Sequence, residues 1–160
     1  MQYCTVSSPV GELLLAGDES ALHMLGFQGG THPIRPQPDW QKDPRPFRKA
    51  LAQLRDYFAG QRREFELTLA PQGTEFQLKV WSALRTIPYG KTWSYGELAR
   101  CIRKPKAARA VGAANGQNPI PIIVPCHRVI GADGSLTGFG GGLKIKRILL
   151  DLESSEASLF

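Results

Sequence analysis

Apolar and polar positions change places in short runs over the first 27 residues, a pattern that predicts strands. Leu13-Leu14-Leu15 and the run from Leu22 to Phe27 are apolar, and turn chemistry separates the runs at Ser8-Pro9-Val10-Gly11 and Gly17-Asp18-Glu19-Ser20. Residues 3 to 27 are therefore expected to form an antiparallel meander. Gly29 to Pro46 is rich in proline and polar residues and reads as loop. The period then changes, because Phe47, Leu51, Leu54 and Phe58 recur at helical spacing up to Gly60. Phe65 to Leu69 has the composition of one more strand.

Ala70-Pro71-Gln72-Gly73 has linker composition and leads into a capping box, Thr74-Glu75-Phe76-Gln77. Two domains are expected on this basis, 1–73 and 74–160. Phe76, Val80 and Leu84 form one apolar stripe, Pro88-Tyr89-Gly90 ends it, and Ser94-x-x-Glu97 caps a further helix through Ile102. Pro105 opens the next, which runs from Lys106 to Ala114 and closes near Asn115-Gly116. Two short helices across a basic turn make a helix-turn-helix pattern; an ordinary helical hairpin with an Ala-rich packing face fits it too. Ile122-Ile123-Val124 reads as a buried β segment that ends on Pro125-Cys126-His127-Arg128-Val129. Asp133-Gly134 marks a turn, Gly138 to Gly142 a glycine-rich loop, and Leu143, Ile148, Leu149 and Leu152 one side of a last helix that carries Glu153.

Composition narrows the function classes. A chain of 160 residues with 42% hydrophobic content suits a globular protein with a real core. No charged-then-apolar leader and no apolar run of membrane-spanning length is present, so a cytoplasmic protein is expected. Cys4, Cys101 and Cys126 are odd in number and widely spaced, which argues against a disulfide framework. Charge is uneven: basic and acidic residues number 8 and 8 up to Gly73, but 12 and 6 from Thr74 onward. From Arg85 to Arg128 there are eight basic residues against Glu97 alone. Such a block suits either a polyanion footprint or a solvated basic face.

Cys126 is the candidate nucleophile. The thiolate is the reactive form, and a neighbouring His127 or Arg128 favours it by stabilising the anion; the alternative is a small buried residue at a strand end. The helix after Pro105 carries Ala107, Ala108, Ala110, Gly112 and Ala113 around one long cation, Arg109. Its backbone is able to approach a nucleic-acid groove closely while Arg109 reaches inward, with Lys104 and Lys106 beside it and few groups left for reading bases. The glycine loop offers bare backbone N–H groups but lacks the flanking pattern of a Walker loop.

Taken together, Arg109-Ala110-Val111-Gly112, Asn118-Pro119-Ile120-Pro121, Pro125-Cys126-His127-Arg128-Val129 and the glycine loop resemble the methylated-DNA-protein-cysteine methyltransferases, the O6-alkylguanine-DNA alkyltransferases of direct DNA repair. The similarity runs from about Phe76 to Glu153 and is weaker around Ser8-Pro9-Val10-Gly11. It implies an α/β ribonuclease-H-like N-terminal domain and a mostly α winged-helix C-terminal domain. It also implies irreversible, single-turnover transfer of an alkyl group from O6-alkylguanine, and less readily O4-alkylthymine, in double-stranded DNA. By resemblance, Cys126 is the alkyl acceptor, His127 the base acting through a bridging water, and Glu153 the carboxylate that orients it. Asn118 is the residue bracing the active-site turn, Tyr95 the hydroxyl donor to the flipped base, and Arg109 the finger that fills the vacated stack. Pro121, Val129, Phe139 and Gly140 line the base pocket, with Phe139 where many relatives have Tyr and Gly140 where several have Ser. No cofactor and no membrane partner are implied, and the protein is expected to be a monomer that binds DNA, with cooperativity left open.

Some relatives hold a structural zinc through Cys and His in the N-terminal region, but Cys4, His23 and His32 show no close-paired ligand spacing, so no metal is expected. Cys101 is expected in the core of the first DNA-binding helix. Two other classes stay in view: a thiol hydrolase using Cys126 and His127, and a DNA-binding module without chemistry. No oxyanion signature supports the first, and the cysteine itself argues against the second.

Overall fold

The computed structural model describes residues 1–139 and 141–158. The expected meander is present: β1 (Gln2–Val6), β2 (Leu13–Gly17) and β3 (Leu22–Phe27) pair antiparallel in sequence. Asp18 fixes the second turn by accepting from the backbone N–H groups of Ser20 and Ala21. A short strand, β4 (Gln41–Lys42), joins the far edge parallel to β1, so the sheet order is β3-β2-β1-β4. The proline-rich stretch expected to be loop therefore closes a sheet edge. The helix follows as α1 (Arg48–Phe58), entered through a 3-10 turn at Arg45–Phe47. Its inward face is Ala50, Gln53, Leu54 and Tyr57, whereas Leu51 and Phe58 are half-buried.

The strand expected at Phe65–Leu69 reduces to one bridge, Leu22 with Leu69. Gln53 explains the loss: its side-chain amide accepts from Glu66 N (2.9 Å) and donates to Glu66 O (3.2 Å), so a side chain occupies the groups that a ladder would use.

The second half is α2 (Glu75–Leu84), β5 (Trp93–Ser94), α3 (Tyr95–Cys101), α4 (Ala108–Gly116), β6 (Val129–Ile130) and α5 (Leu143–Ser158). Both capping boxes form, Thr74 with Gln77 and Ser94 with Glu97. The α4 helix starts later than Pro105 suggested, because Lys104 to Ala107 make a turn that begins at Arg103, held at φ 62°. Trp81 of α2 donates to Ala114 O (2.9 Å) and ties α4 down by its inner face.

One continuous apolar core runs through both halves, from Cys4 and Leu15 through Leu54, Val80, Leu98 and Val111 to Leu149. Two expectations about it fail. Cys101 is exposed, because the α3 face that packs inward is Leu98 and Ala99. Leu143 is half exposed, since the buried stripe of α5 is Lys146, Leu149 and Glu153, spaced three and four residues apart.

Candidate active site

Ile120 to Val124 is buried, as the apolar run requires, but it is a turn and not a strand. Pro121 and Pro125 remove two ladder donors, and Asn118 supplies the alternative. Its Oδ1 accepts from Ile120 N (3.0 Å) and its Nδ2 donates to Val124 O (2.8 Å). Val124 N then reaches Ile120 O at 2.9 Å, and Cys126 N reaches Val124 O at 2.8 Å. Ile122 sits at φ 72°, a conformation costing a β-branched residue about 1–3 kcal/mol. The two Asn118 bonds thus hold a strained turn whose exit is the 3-10 helix Cys126–Arg128.

Cys126 is 4% exposed and lines a cavity of about 430 Å³ together with Asn118, Pro121, Phe139 and Gly141. Burial pushes its thiol up to about 11, opposed by the Asn118 side chain and the Lys146 charge. The resting group is therefore a thiol and not the thiolate expected from its flanking residues. His127 and Arg128 point away from that simple role, since both meet Glu153.

His127 Nε2 lies 2.7 Å from Glu153 Oε2, and both residues are at most 1% exposed. Arg128 donates through Nε to Oε1 (2.8 Å), through one terminal nitrogen to Oε2 (3.0 Å), and through the other to Ile87 O (2.8 Å). Burial alone would raise the Glu153 pKa, but the bonds from His127 and Arg128 hold it down to about 2. Burial lowers that of His127 against the pull of Glu153, so the pair is a carboxylate and a neutral imidazole. A carboxylate only accepts, so Nε2 carries the hydrogen and the lone pair is on Nδ1. Nδ1 is buried and has no hydrogen-bond partner among the described residues. It is a base by geometry.

Arg128 is therefore not part of a solvent-facing basic block. Lys146 is a second buried cation that the sequence pattern did not single out; its Nζ donates to Val129 O (2.6 Å) and Thr137 O (2.7 Å). Spacing would have revealed it, because Lys146 shares the inward stripe of α5 with Glu153. Arg128 is matched by Glu153, whereas Lys146 meets only backbone carbonyls, so its charge is left to favour an anion at Cys126.

The remaining expected residues divide between cavity and surface. Tyr95 Oη meets Thr137 Oγ1 at 2.9 Å, outside the cavity lining, and its ring lies beside Gly112, where a Cβ would be 3.6 Å away. Val129 is fully buried outside that lining, with its carbonyl already taken by Lys146. Gly140 lies outside the described residues. Lys104, Lys106, Arg109, Ala110 and Ala113 are exposed, Ala108 and Gly112 half-buried, and Ala107 packs against the core. Small residues around Arg109 thus form the outer face of α4, while Val111, Ala114 and Asn115 face inward. Among the described residues no three His, Cys, Asp or Glu side chains are grouped to hold a metal; Cys4 is a core residue and His23 meets Asp18 at 3.2 Å. Nor is any described helix long and apolar enough to cross a membrane.

Residues 1–71 match the family model described as 6-O-methylguanine DNA methyltransferase, ribonuclease-like domain, and residues 75–155 its DNA binding domain. The methylated-DNA–protein-cysteine methyltransferase of Methanosarcina acetivorans is 54% identical over 97% of this chain and 99% of its own length. That of Mycobacterium tuberculosis is 56% identical, covering 98% and 94%. The crystal structure of Mycobacterium tuberculosis OGT in complex with DNA superposes with a TM-score of 0.91 at 54% identity, covering 98% of this chain and 94% of that one. The O6-methylguanine-DNA methyltransferase of Pyrococcus kodakaraensis matches at 0.64 and 26% identity, covering 94% and 98%.

Proposed function

The chain belongs to the 6-O-methylguanine DNA methyltransferase family, whose members act by direct reversal of DNA alkylation, and on that premise we propose that Cys126 is its alkyl acceptor. The substrate is O6-alkylguanine in double-stranded DNA, with O4-alkylthymine a poorer one. One observation carries the assignment: the Cys126 thiol lines a cavity and is followed directly by the buried His127–Glu153 pair.

The proton balance follows from the geometry. As the flipped base enters, the Cys126 proton leaves toward the free Nδ1 of His127, through a bridging water, and Glu153 stabilises the imidazolium that forms. The sulfur then bonds the alkyl carbon while the bond from that carbon to O6 breaks. The guanine anion takes a proton from the Tyr95 hydroxyl, which the histidine proton finally restores. The net change is a thiol and an alkylguanine converted into a thioether and guanine. Among the described residues no group in the site is placed to cleave a thioether, so each molecule acts once.

On the outside, the small-residue face of α4 approaches the DNA backbone and Arg109 enters the space left by the base. Lys104 and Lys106 contact phosphates, and Asn118 keeps the cysteine turn in place. The protein acts as a monomer in the cytoplasm, where its three free cysteines stay reduced.

The test is to incubate the protein with duplex containing O6-methylguanine and measure peptide masses. One added methyl on the Cys126 peptide, absent in Cys126→Ala while DNA affinity persists, is the expected result. Methyl on the Cys4 or Cys101 peptide would sink the assignment, and no mass gain at all would leave a DNA-binding module without chemistry.

A further inference from the structure

The cavity at Cys126 does not end within the DNA-binding half. It continues across the domain boundary to Met24, Phe27 and Ile34, so that a wall of the N-terminal domain faces the thiol's own cavity. At about 430 Å³ it is within the range of about 300–1,000 Å³ that holds drug-sized ligands, far more than a methyl group occupies.

This wall is built and held. Phe27 packs on Phe139 with ring centroids 5.6 Å apart, and the β3 backbone reaches across to donate from Leu25 N to Pro119 O at 2.9 Å. Gly30 and Gly141 approach so closely that a Cβ on Gly30 would lie 3.2 Å from the Gly141 backbone. Ile34 belongs to a stretch without regular structure, yet Gln28 grips it from both sides. Gln28 Nε2 donates to Ile34 O (2.9 Å) and Ile34 N donates to Gln28 Oε1 (3.0 Å). The Ile34 side chain lies over bare Gly26, where a Cβ would come within 2.6 Å of it. A loop residue fixed by two hydrogen bonds over a glycine is a positioned surface.

We propose that this N-terminal wall, through Met24 and Ile34, is a subsite for the O6 substituent and admits unbranched apolar groups longer than methyl. The inference rests on Cys126 being the alkyl acceptor. A methyl group reaches only the sulfur, whereas the outer carbons of an n-butyl group extend toward the wall and exchange water for apolar contact. Met24 and Ile34 then set the range of substrates without taking part in methyl transfer.

Single-turnover rates on duplexes carrying O6-methylguanine and O6-n-butylguanine test this in the full chain. Ile34→Trp and Met24→Phe fill the subsite, and each is expected to lower the butyl rate about tenfold or more while the methyl rate changes by less than about twofold. An unchanged butyl-to-methyl ratio in both variants overturns the proposal, as does an equal loss on both substrates. The wild type supplies a measurement free of folding effects. The Met24 and Ile34 side-chain methyl resonances should shift more on butylation of the protein than on methylation, and equal spectra would also overturn it. Failure of wild-type methyl transfer to Cys126 would instead strike the acceptor assignment itself.

Discussion

Tyr57, in the helix of the N-terminal domain, donates its phenolic hydrogen to Glu153 Oε2 at 2.7 Å, the same oxygen that His127 Nε2 meets at 2.7 Å. Burial and the Glu153 charge keep that phenol protonated, so it acts as a fixed donor. Both domains thus hold the carboxylate. Tyr57→Phe removes one donor from a buried charge, and a loss of about 1–3 kcal/mol in unfolding free energy is expected. Because Oε2 also orients His127, methyl transfer should slow as well, with duplex affinity retained. Denaturant titration and single-turnover transfer on the same preparation check this; lower stability at an unchanged transfer rate would confine Tyr57 to joining the domains.

Glu153→Gln tests the charge itself. The folded pKa of Glu153, about 2, lies below its ordinary value of 4.5, so ionised Glu153 stabilises the fold above about pH 4.5. That contribution fades as pH falls toward 2. The variant should be less stable than wild type by roughly 3 kcal/mol near neutrality, with the gap closing across this acid window. Leaving Arg128 buried without its partner adds to the neutral-pH loss. Unfolding free energies measured from pH 3 to 7 decide the point, and a gap that stays constant with pH would mean that Glu153 acts through packing alone.

Much of this arrangement is legible in the amino-acid sequence. Leu13–Leu15 and Leu22–Phe27 declare strands because turn residues bound them, and Thr74 and Ser94 declare helix starts because a glutamine or glutamate follows at the third position. Other parts are hidden for physical reasons. Ile122-Ile123-Val124 has strand composition, and only the side-chain bonds of Asn118, six residues before Val124, turn it into a strained bend. Lys146 looks like a solvent-facing charge until its place on the Leu149–Glu153 stripe is noticed. Tyr57 looks like an ordinary core aromatic, and its bond to Glu153 joins residues 96 positions apart. Pairings over such distances leave no local periodicity to read.

Arg109→Ala separates base extrusion from chemistry. Arg109 is exposed on the outer face of α4, whereas the His127–Glu153 pair is buried. If it fills the gap left by the base, it matters only where a stack must be held open. Transfer from duplex DNA should fall about tenfold to a hundredfold, since unstacking is worth a few kcal/mol, while transfer from the free base stays near the wild-type rate. Equal losses on both substrates would place Arg109 in support of the fold or pocket.

The turn between α3 and α4 carries the charges expected to meet phosphate. Lys104 and Lys106 are exposed there, and the neighbouring α4 face offers Ala110 and Ala113, whose side chains form no hydrogen bonds to base edges. Affinity for undamaged duplex should therefore depend little on sequence and strongly on salt. Each lysine in contact with a phosphate displaces about one counterion, so Lys104→Ala or Lys106→Ala should flatten the slope of log K against log salt by about 0.9. The loss should be similar across duplexes of different sequence, as expected for a contact that positions without specifying. Titrations of wild type and both variants over a salt series measure it. Slopes identical to wild type in both would move the phosphate contact off this turn.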